Sequence, residues 1–189
     1  VITDPVWPNC PPELLEGWQD PAALLREALE LIQARRLVIV TRYDSDPRFL
    51  QAVPARWPFF RVQVLRYAVP GYNGRKLGGM EFAYCFGEPV PSAPGRRVIP
   101  GEGPIVTRRT PENGHPAPRA LEHFRWLVNW WSEPGETVLD PFCGSGTTAV
   151  AAYQLGRHFV GGDIEPRYIE ITERRIAQAK MQPLLWEVT

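Results

Sequence analysis

Cysteine is scarce in this chain. There are three (Cys10, Cys85, Cys143), an odd number with no CxxC pair, which argues against a disulfide framework and against a zinc site. No metal-ligand pattern of any other kind stands out. No apolar run approaches the ~20 residues that a membrane-spanning helix needs. The N-terminus shows no basic stretch followed by an apolar one, so no secretion signal is visible, and the expectation is a cytoplasmic domain. No internal repeat is apparent. Net charge is also missing, with 21 basic and 21 acidic residues. That neutrality is unusual for a nucleic-acid binder, because phosphate neutralisation by Lys and Arg drives such binding.

The average hides a gradient. From Pro54 to Thr110 nine basic residues stand against Glu81, Glu88 and Glu102, so the middle of the chain is basic and the rest offsets it. This is compatible with a DNA-facing side and also with an ordinary solvated surface. At 189 residues, 44% hydrophobic and 22% charged, the chain is expected to form one globular domain over 1–189. It opens on Val1 with residues that already read as a strand, which suggests that residues precede it.

Element signals alternate. Asp20-Pro21 pairs an N-cap residue with proline at the first helical position. Leu24, Leu25, Ala28, Leu29 and Ile32 then recur at helical spacing until Arg35-Arg36. Leu37-Val38-Ile39-Val40 reads as a buried parallel strand. Residues 60–67 alternate as a half-buried strand, and 81–86 read as its partner after a glycine-rich loop at 71–79. The segment 88–114 is rich in proline, glycine and arginine and predicts a surface loop. A helix is expected from Pro118 with Leu121, Phe124, Val128 and Trp131 on one face. Strand 137–139, helix 147–155, strand 158–162 and helix 166–180 follow. Strand–helix alternation at both ends implies an α/β fold with a parallel sheet and helices on both faces. Trp126, Trp130 and Trp131 read as mostly core, whereas Trp57 and Tyr72 read as surface aromatics.

The most informative stretch lies between strand and helix at Val138-Leu139-Asp140-Pro141-Phe142-Cys143-Gly144-Ser145-Gly146-Thr147-Thr148-Ala149. Gly144 and Gly146 permit a tight turn and close approach of a ligand, and the helix that follows offers free N–H groups. Asp163, just past the next strand, is placed to accept hydrogen bonds from two ribose hydroxyls, at the ~20-residue spacing of nucleotide-type folds. Gly144-x-Gly146-x-x-Ala149 also fits a dinucleotide fingerprint, which leaves an NAD-type oxidoreductase open.

The wider run Asp-Pro-Phe-Cys-Gly-Ser-Gly-Thr-Thr closely resembles the S-adenosylmethionine loop of the amino-group (N6-adenine or N4-cytosine) DNA methyltransferases. Thr3-Asp4-Pro5-Val6-Trp7 resembles the Asp-Pro-Pro-aromatic signature of the same family, with Val6 where a second proline is usual. Gly114-His115-Pro116-Ala117-Pro118-Arg119-Ala120-Leu121-Glu122 resembles its His-Pro-x-x-x-Pro-Leu-Glu segment, with Arg119 in the usual lysine place.

The resemblance implies a Rossmann-like S-adenosylmethionine methyltransferase sheet, circularly permuted, with the catalytic loop N-terminal and the cofactor loop C-terminal. It implies S-adenosyl-L-methionine as cofactor and DNA, with one base flipped out, as partner. Asp4, Pro5 and Trp7 would be the catalytic residues. Asp4 and the Pro5 carbonyl would accept the N–H hydrogens of the base, favouring a tetrahedral nitrogen, while Trp7 stacks on the ring. Cofactor contacts fall on His115, Pro116, Asp140, Pro141, Phe142, Gly144, Ser145, Gly146, Thr147 and Asp163. A carboxylate at Asp4, where cytosine enzymes carry serine, leans toward adenine.

The family's recognition region would lie between Phe86 and His115, a stretch too short for a sizeable recognition domain. Specificity is therefore expected to be short or lax, or to come from a partner. The family usually has a further strand and an acidic cofactor contact before the catalytic loop, and this chain lacks both. The tail from Pro183 to Val188 is a possible filler of that sheet position. A carbon-5 cytosine enzyme would need a Pro-Cys nucleophile loop, and Cys10 precedes its prolines instead. A structured-RNA methyltransferase and a cofactor-binding module without turnover remain as alternatives.

Overall fold

The computed structural model describes residues 1–8, 20–107 and 119–181, with the backbone only for Asn73. Five strands make one sheet in the order β1(Ile2–Thr3), β2(Arg36–Arg42), β4(Lys76–Gly87), β3(Phe59–Asn73), β5(Glu102–Val106). A parallel pair, β6(Thr137–Asp140) and β7(His158–Gly161), runs beside β1. The sheet is parallel where the chain alternates strand and helix, as between β1 and β2. It turns antiparallel at the β3–β4 hairpin and where β4 meets β2.

Helix α1(Pro21–Glu30) starts as its sequence predicts, with Asp20 accepting from the Ala22 and Ala23 amides at 2.9 and 3.1 Å. It stops at Glu30, earlier than the apolar spacing suggests, and Ile32 reaches the same core from the following loop. On this face Leu25 and Leu29 bury against Leu37, Ile39, Phe86 and the short 3-10 turn Pro47–Ala52. Trp57 belongs to this core too. Its indole donates to the Ala34 carbonyl (2.6 Å) and the Arg56 guanidinium covers its ring, so the expectation of a surface aromatic is corrected.

The opposite face is covered by α2(Leu121–Trp131) and α3(Thr147–Gln154). Phe124, Leu127, Val128 and Trp131 pack with Ala151 and Ala152 on Val38, Val40, Leu65, Ala83 and Cys85. Each fully buried leucine in these two cores contributes about 1.5–3 kcal/mol over an exposed one. His123, also buried, holds α2 to the sheet with Nε2 3.1 Å from the carbonyls of Arg66 and Pro104. Helix α4(Pro166–Lys180) packs against α3.

Two stretches differ from the sequence expectation. Residues 71–79 are strand, pairing Gly71 with Gly78 and Tyr72 with Leu77 around a tight turn. Within 88–114, Glu102–Val106 forms edge strand β5, mostly exposed and parallel to β3, so no hydrophobic pattern marks it. Among the described residues no helix is long and apolar enough to cross a membrane.

Candidate active site

Strands β1 and β6 come from opposite ends of the chain and finish side by side. The Thr3 hydroxyl donates to Asp140 Oδ1 at 2.6 Å across 137 residues of sequence. At the other end, Arg36 at the start of β2 reaches Glu136, just before β6, at 2.8 Å. The chain leaves β1 for α1 on one face and leaves β6 for α3 on the other. The gap beyond Thr3 and Asp140 is thus the point where the sheet's winding reverses, the place where open α/β sheets hold ligands.

From β1 the chain delivers Asp4, Pro5 and Trp7 to this edge. Asp4 is held by Arg119, whose Nε donates to Oδ2 and Nη2 to Oδ1 (2.8 Å), a bidentate pair. The same guanidinium reaches Glu81 on β4 through Nη1, and Tyr67 donates its hydroxyl to the other Glu81 oxygen at 3.0 Å. Burial pushes the Asp4 carboxyl above the ordinary carboxylate range, and Arg119 pulls against that shift. Burial works against the charge of Arg119 as well, but Asp4 and Glu81 outweigh it and raise its pKa. Trp7 is 4% exposed, with Arg119 5.3 Å and Arg42 5.7 Å from its ring centroid. Its indole Nε1 has no hydrogen-bond partner among the described residues.

From β6 the chain delivers the glycine loop. Asp140 is buried and engaged on both oxygens. Thr3 and the Phe142 amide (3.1 Å) donate to Oδ1, and Thr148 donates to Oδ2 at 2.5 Å. Its acceptors thus brace the loop, and burial pushes its carboxyl up to about 6. Gly146 caps α3 with φ +78°, and a Cβ there would sit 2.6 Å from Thr172 Oγ1. Thr172 in turn donates to the Gly144 carbonyl at 3.0 Å, and Arg175 touches Ser145 Oγ and Thr147 Oγ1 at 3.2 and 3.3 Å. Asp163 lies beside the loop, accepting from the amides of Gly144 (2.8 Å) and Glu165 (3.1 Å). Cys143 is buried, and burial pushes its thiol up to about 12, the opposite of what a nucleophilic cysteine needs.

This arrangement pairs a carboxylate and an indole on one strand end with a glycine-lined helix N-terminus on the next. The profile of a family described as DNA methylase matches residues 51–174, more than half of the chain. The chain belongs to the DNA methylase family. The matched span includes the glycine loop and stops short of the Asp4 loop. Two relatives of this family are the type II methyltransferases M.HinfI of Haemophilus influenzae and M2.DpnII of Streptococcus pneumoniae. They are 44% identical over 52 residues and 49% identical over 62, which is 28% and 33% of this chain and 14% and 23% of theirs. The aligned segments thus span less than a quarter of either relative.

Among solved structures, the M1.HpyAVI–SAM complex aligns with a TM-score of 0.70 at 22% identity, covering 93% of this chain and 86% of that one. A putative DNA modification methylase of Thermus thermophilus, in complex with S-adenosyl-L-methionine, aligns at 0.59 with 21% identity over 94% and 84%. The cytosine-N4-specific PvuII methyltransferase aligns at 0.57 with 14% identity over 74% and 63%. These likenesses establish the permuted, Rossmann-like methyltransferase fold.

The structure brings Asp4, Pro5 and Trp7 to one sheet edge with Asp140, Pro141, Phe142, Gly144, Ser145, Gly146, Thr147 and Asp163. His115 and Pro116 lie outside the described residues, as do Cys10 and the tail from Pro183. The spacing of motifs gives no sign of Glu81 and Tyr67 as members of this edge. Arg119 carries one signal, its departure from the family's lysine.

Proposed function

We propose that this chain transfers a methyl group from S-adenosylmethionine to the exocyclic amino group of a flipped DNA base, within a short recognition site, adenine in preference to cytosine. The observation that carries this reading is the Thr3–Asp140 hydrogen bond, which fixes the Asp4 loop beside the glycine loop.

The residues present fit the cofactor. Gly146 has the left-handed backbone that opens the loop, a Cβ there would collide with Thr172, and the α3 amides stand beyond it. Gly144 to Thr147 would hold the cofactor, with Asp163 offering its remaining lone pairs to ribose hydroxyls. Bound there, S-adenosylmethionine supplies an electrophilic methyl group on a sulfonium.

The work of this chain is to present the base nitrogen. Its lone pair is delocalised into the ring. An Asp4 oxygen and the Pro5 carbonyl accept the two amino hydrogens and direct that lone pair out of the ring plane. Trp7 stacks on the base, which then replaces one of the two guanidinium groups now against the indole. Asp4 Oδ, half-buried and raised in pKa, accepts the proton the amino group sheds after transfer. Holding the base in this pose supplies much of the rate, with no covalent enzyme intermediate.

A second reading has one observation in its favour. Arg119 occupies both Asp4 oxygens, as expected of a module that binds cofactor and turns over weakly. One experiment separates the two. Labelled methyl transfer to unmethylated duplex DNA is followed by digestion to nucleosides, with Asp4→Ala alongside. The expected product is N6-methyladenine, reduced about 100-fold or more in the variant. N4-methylcytosine instead would keep the enzyme and change the base. Cofactor binding without incorporation would establish the binding module.

A further inference from the structure

The β3–β4 hairpin runs on past the rest of its sheet. Pairing with β5 ends at Tyr67 and Val106, and pairing with β2 ends at Glu81 and Arg42. The hairpin continues through Gly71–Gly78 and Tyr72–Leu77 to a two-residue turn at Gly74 and Arg75. Gly74 has φ +59°, the conformation a tight hairpin turn asks of its first central residue. The carboxyl ends of β1 and β2 lie at the edge where β4 begins, so this arm projects from the edge that carries Asp4.

Its two faces are unequal. Along β4 the residues Leu77, Gly79, Glu81, Ala83 and Cys85 share a face. Lower down, that face is the one covered by α2, and at Glu81 it meets Arg119. Above Glu81 it is bare: Tyr72 is 82% exposed, its cross-strand neighbour Leu77 55%, and nearby Val69 65%. The other face is braced. Tyr43 lies so close to Gly78 that a Cβ there would fall within 1.9 Å of its ring, and Lys76 pairs with Asp44 at 3.6 Å. No acidic residue occurs from Tyr67 to Met80, while Arg75 and Lys76 stand at the tip. A two-stranded ribbon, bulged on β3 between Arg66 and Gly71, with a cationic tip and an exposed aromatic therefore continues the wall of the proposed base site.

We propose that this arm is a duplex-DNA-binding element, lying along the groove next to the flipped base. Arg75 and Lys76 contact phosphates while Tyr72 and Leu77 press on the base step left open by flipping. A two-stranded ribbon fits the major groove, and exposed apolar side chains support unstacked steps. The proposal rests on the reading that the substrate is DNA. It places duplex contacts ahead of Phe86, outside the segment where family resemblance puts recognition.

The test uses a short fluorescein-labelled unmethylated duplex, with binding followed by anisotropy across a salt series. Tyr72→Ser/Leu77→Ser is expected to weaken duplex binding about tenfold with the salt slope unchanged. Arg75→Gln/Lys76→Gln is expected to flatten the slope of log affinity against log salt by about 2. In both, the melting temperature and S-adenosylmethionine affinity should match the parent chain. If a double variant melts early, Arg75→Gln alone, in the exposed turn, should still flatten the slope by about 1. Parent-like duplex binding in all of these, with a parent chain that binds and methylates DNA, overturns the arm and leaves the function standing. A change from dimer to monomer in Tyr72→Ser/Leu77→Ser with unchanged DNA binding overturns it in favour of self-association. A parent chain that neither binds nor methylates duplex DNA removes the function, and the arm's role with it.

Discussion

Asp4 and Asp140 end neighbouring strands, the first half-buried and the second buried, and they are held by opposite means. Asp140 is surrounded by neutral donors, two threonine hydroxyls and one amide, from β1, α3 and the glycine loop. Asp4 is held by one charged, long side chain that has a second carboxylate to rest on, Glu81. Neutral short donors fix a carboxylate in place and leave it costly to ionise. A shared guanidinium offsets the charge and can change its grip without leaving the site. The first arrangement suits a brace, the second a group that must receive a substrate.

The largest effect expected from disturbing this contrast is at Arg119. Arg119→Met leaves buried Glu81 and half-buried Asp4 facing each other, a loss of about 3–5 kcal/mol, or roughly 6–20 °C in melting temperature for a chain of this size. Asp4, already raised by burial, would then bind a proton still more readily folded than unfolded. The deficit should therefore widen as pH rises from 5 to 8, and thermal melts across that range check it. A deficit that narrows with pH would mean the guanidinium is not what offsets the burial of Asp4.

Asp140→Asn acts on the other carboxylate. Its folded pKa of about 6 stands above the ordinary 3.8, so the folded chain holds a proton that the unfolded chain releases. Stability from this group is present below pH 4 and is lost as pH rises toward 6, by about 3 kcal/mol in all. Denaturant titrations should show the difference between variant and parent shifting in the variant's favour over that window. A constant difference would place the Asp140 pKa near its ordinary value. The smallest effect is expected at Gly146→Ala, about 1–3 kcal/mol from the left-handed backbone and the Thr172 contact. Adding Thr172→Ala should return only the part due to contact, as calorimetry would show.

Much of this arrangement was legible in the residues. The Asp20–Pro21 cap, the β-branched run at 37–40 and the glycine loop each carry a local signal that the fold keeps. The hairpin was legible as alternation, but its length was not. Glycines at 71, 74, 78 and 79 read as loop, whereas Gly78 lies within β4, where the Tyr43 ring leaves no room for a Cβ. Strand β5 gave no pattern because an exposed edge strand buries only Val106. Trp57, set among prolines, looked superficial until a carbonyl 23 residues away accepted its indole N–H. The partner of Asp4 was the hardest to foresee, since Arg119 stands 115 residues along the chain and the contact is made by tertiary packing alone.

The Thr3–Asp140 bond also has a meaning in time. A chain leaving the ribosome carries Thr3 long before Asp140 exists, and the loop that joins them is 137 residues in sequence. Closing a flexible loop of that length costs about 4 kcal/mol in its length-dependent part alone. The β2–β4–β3 portion can pair earlier, through contacts closer in sequence. The edge that carries Asp4 is thus among the last parts of the domain able to form, and a polypeptide cut short before β6 carries the Asp4 loop with nothing to set it against.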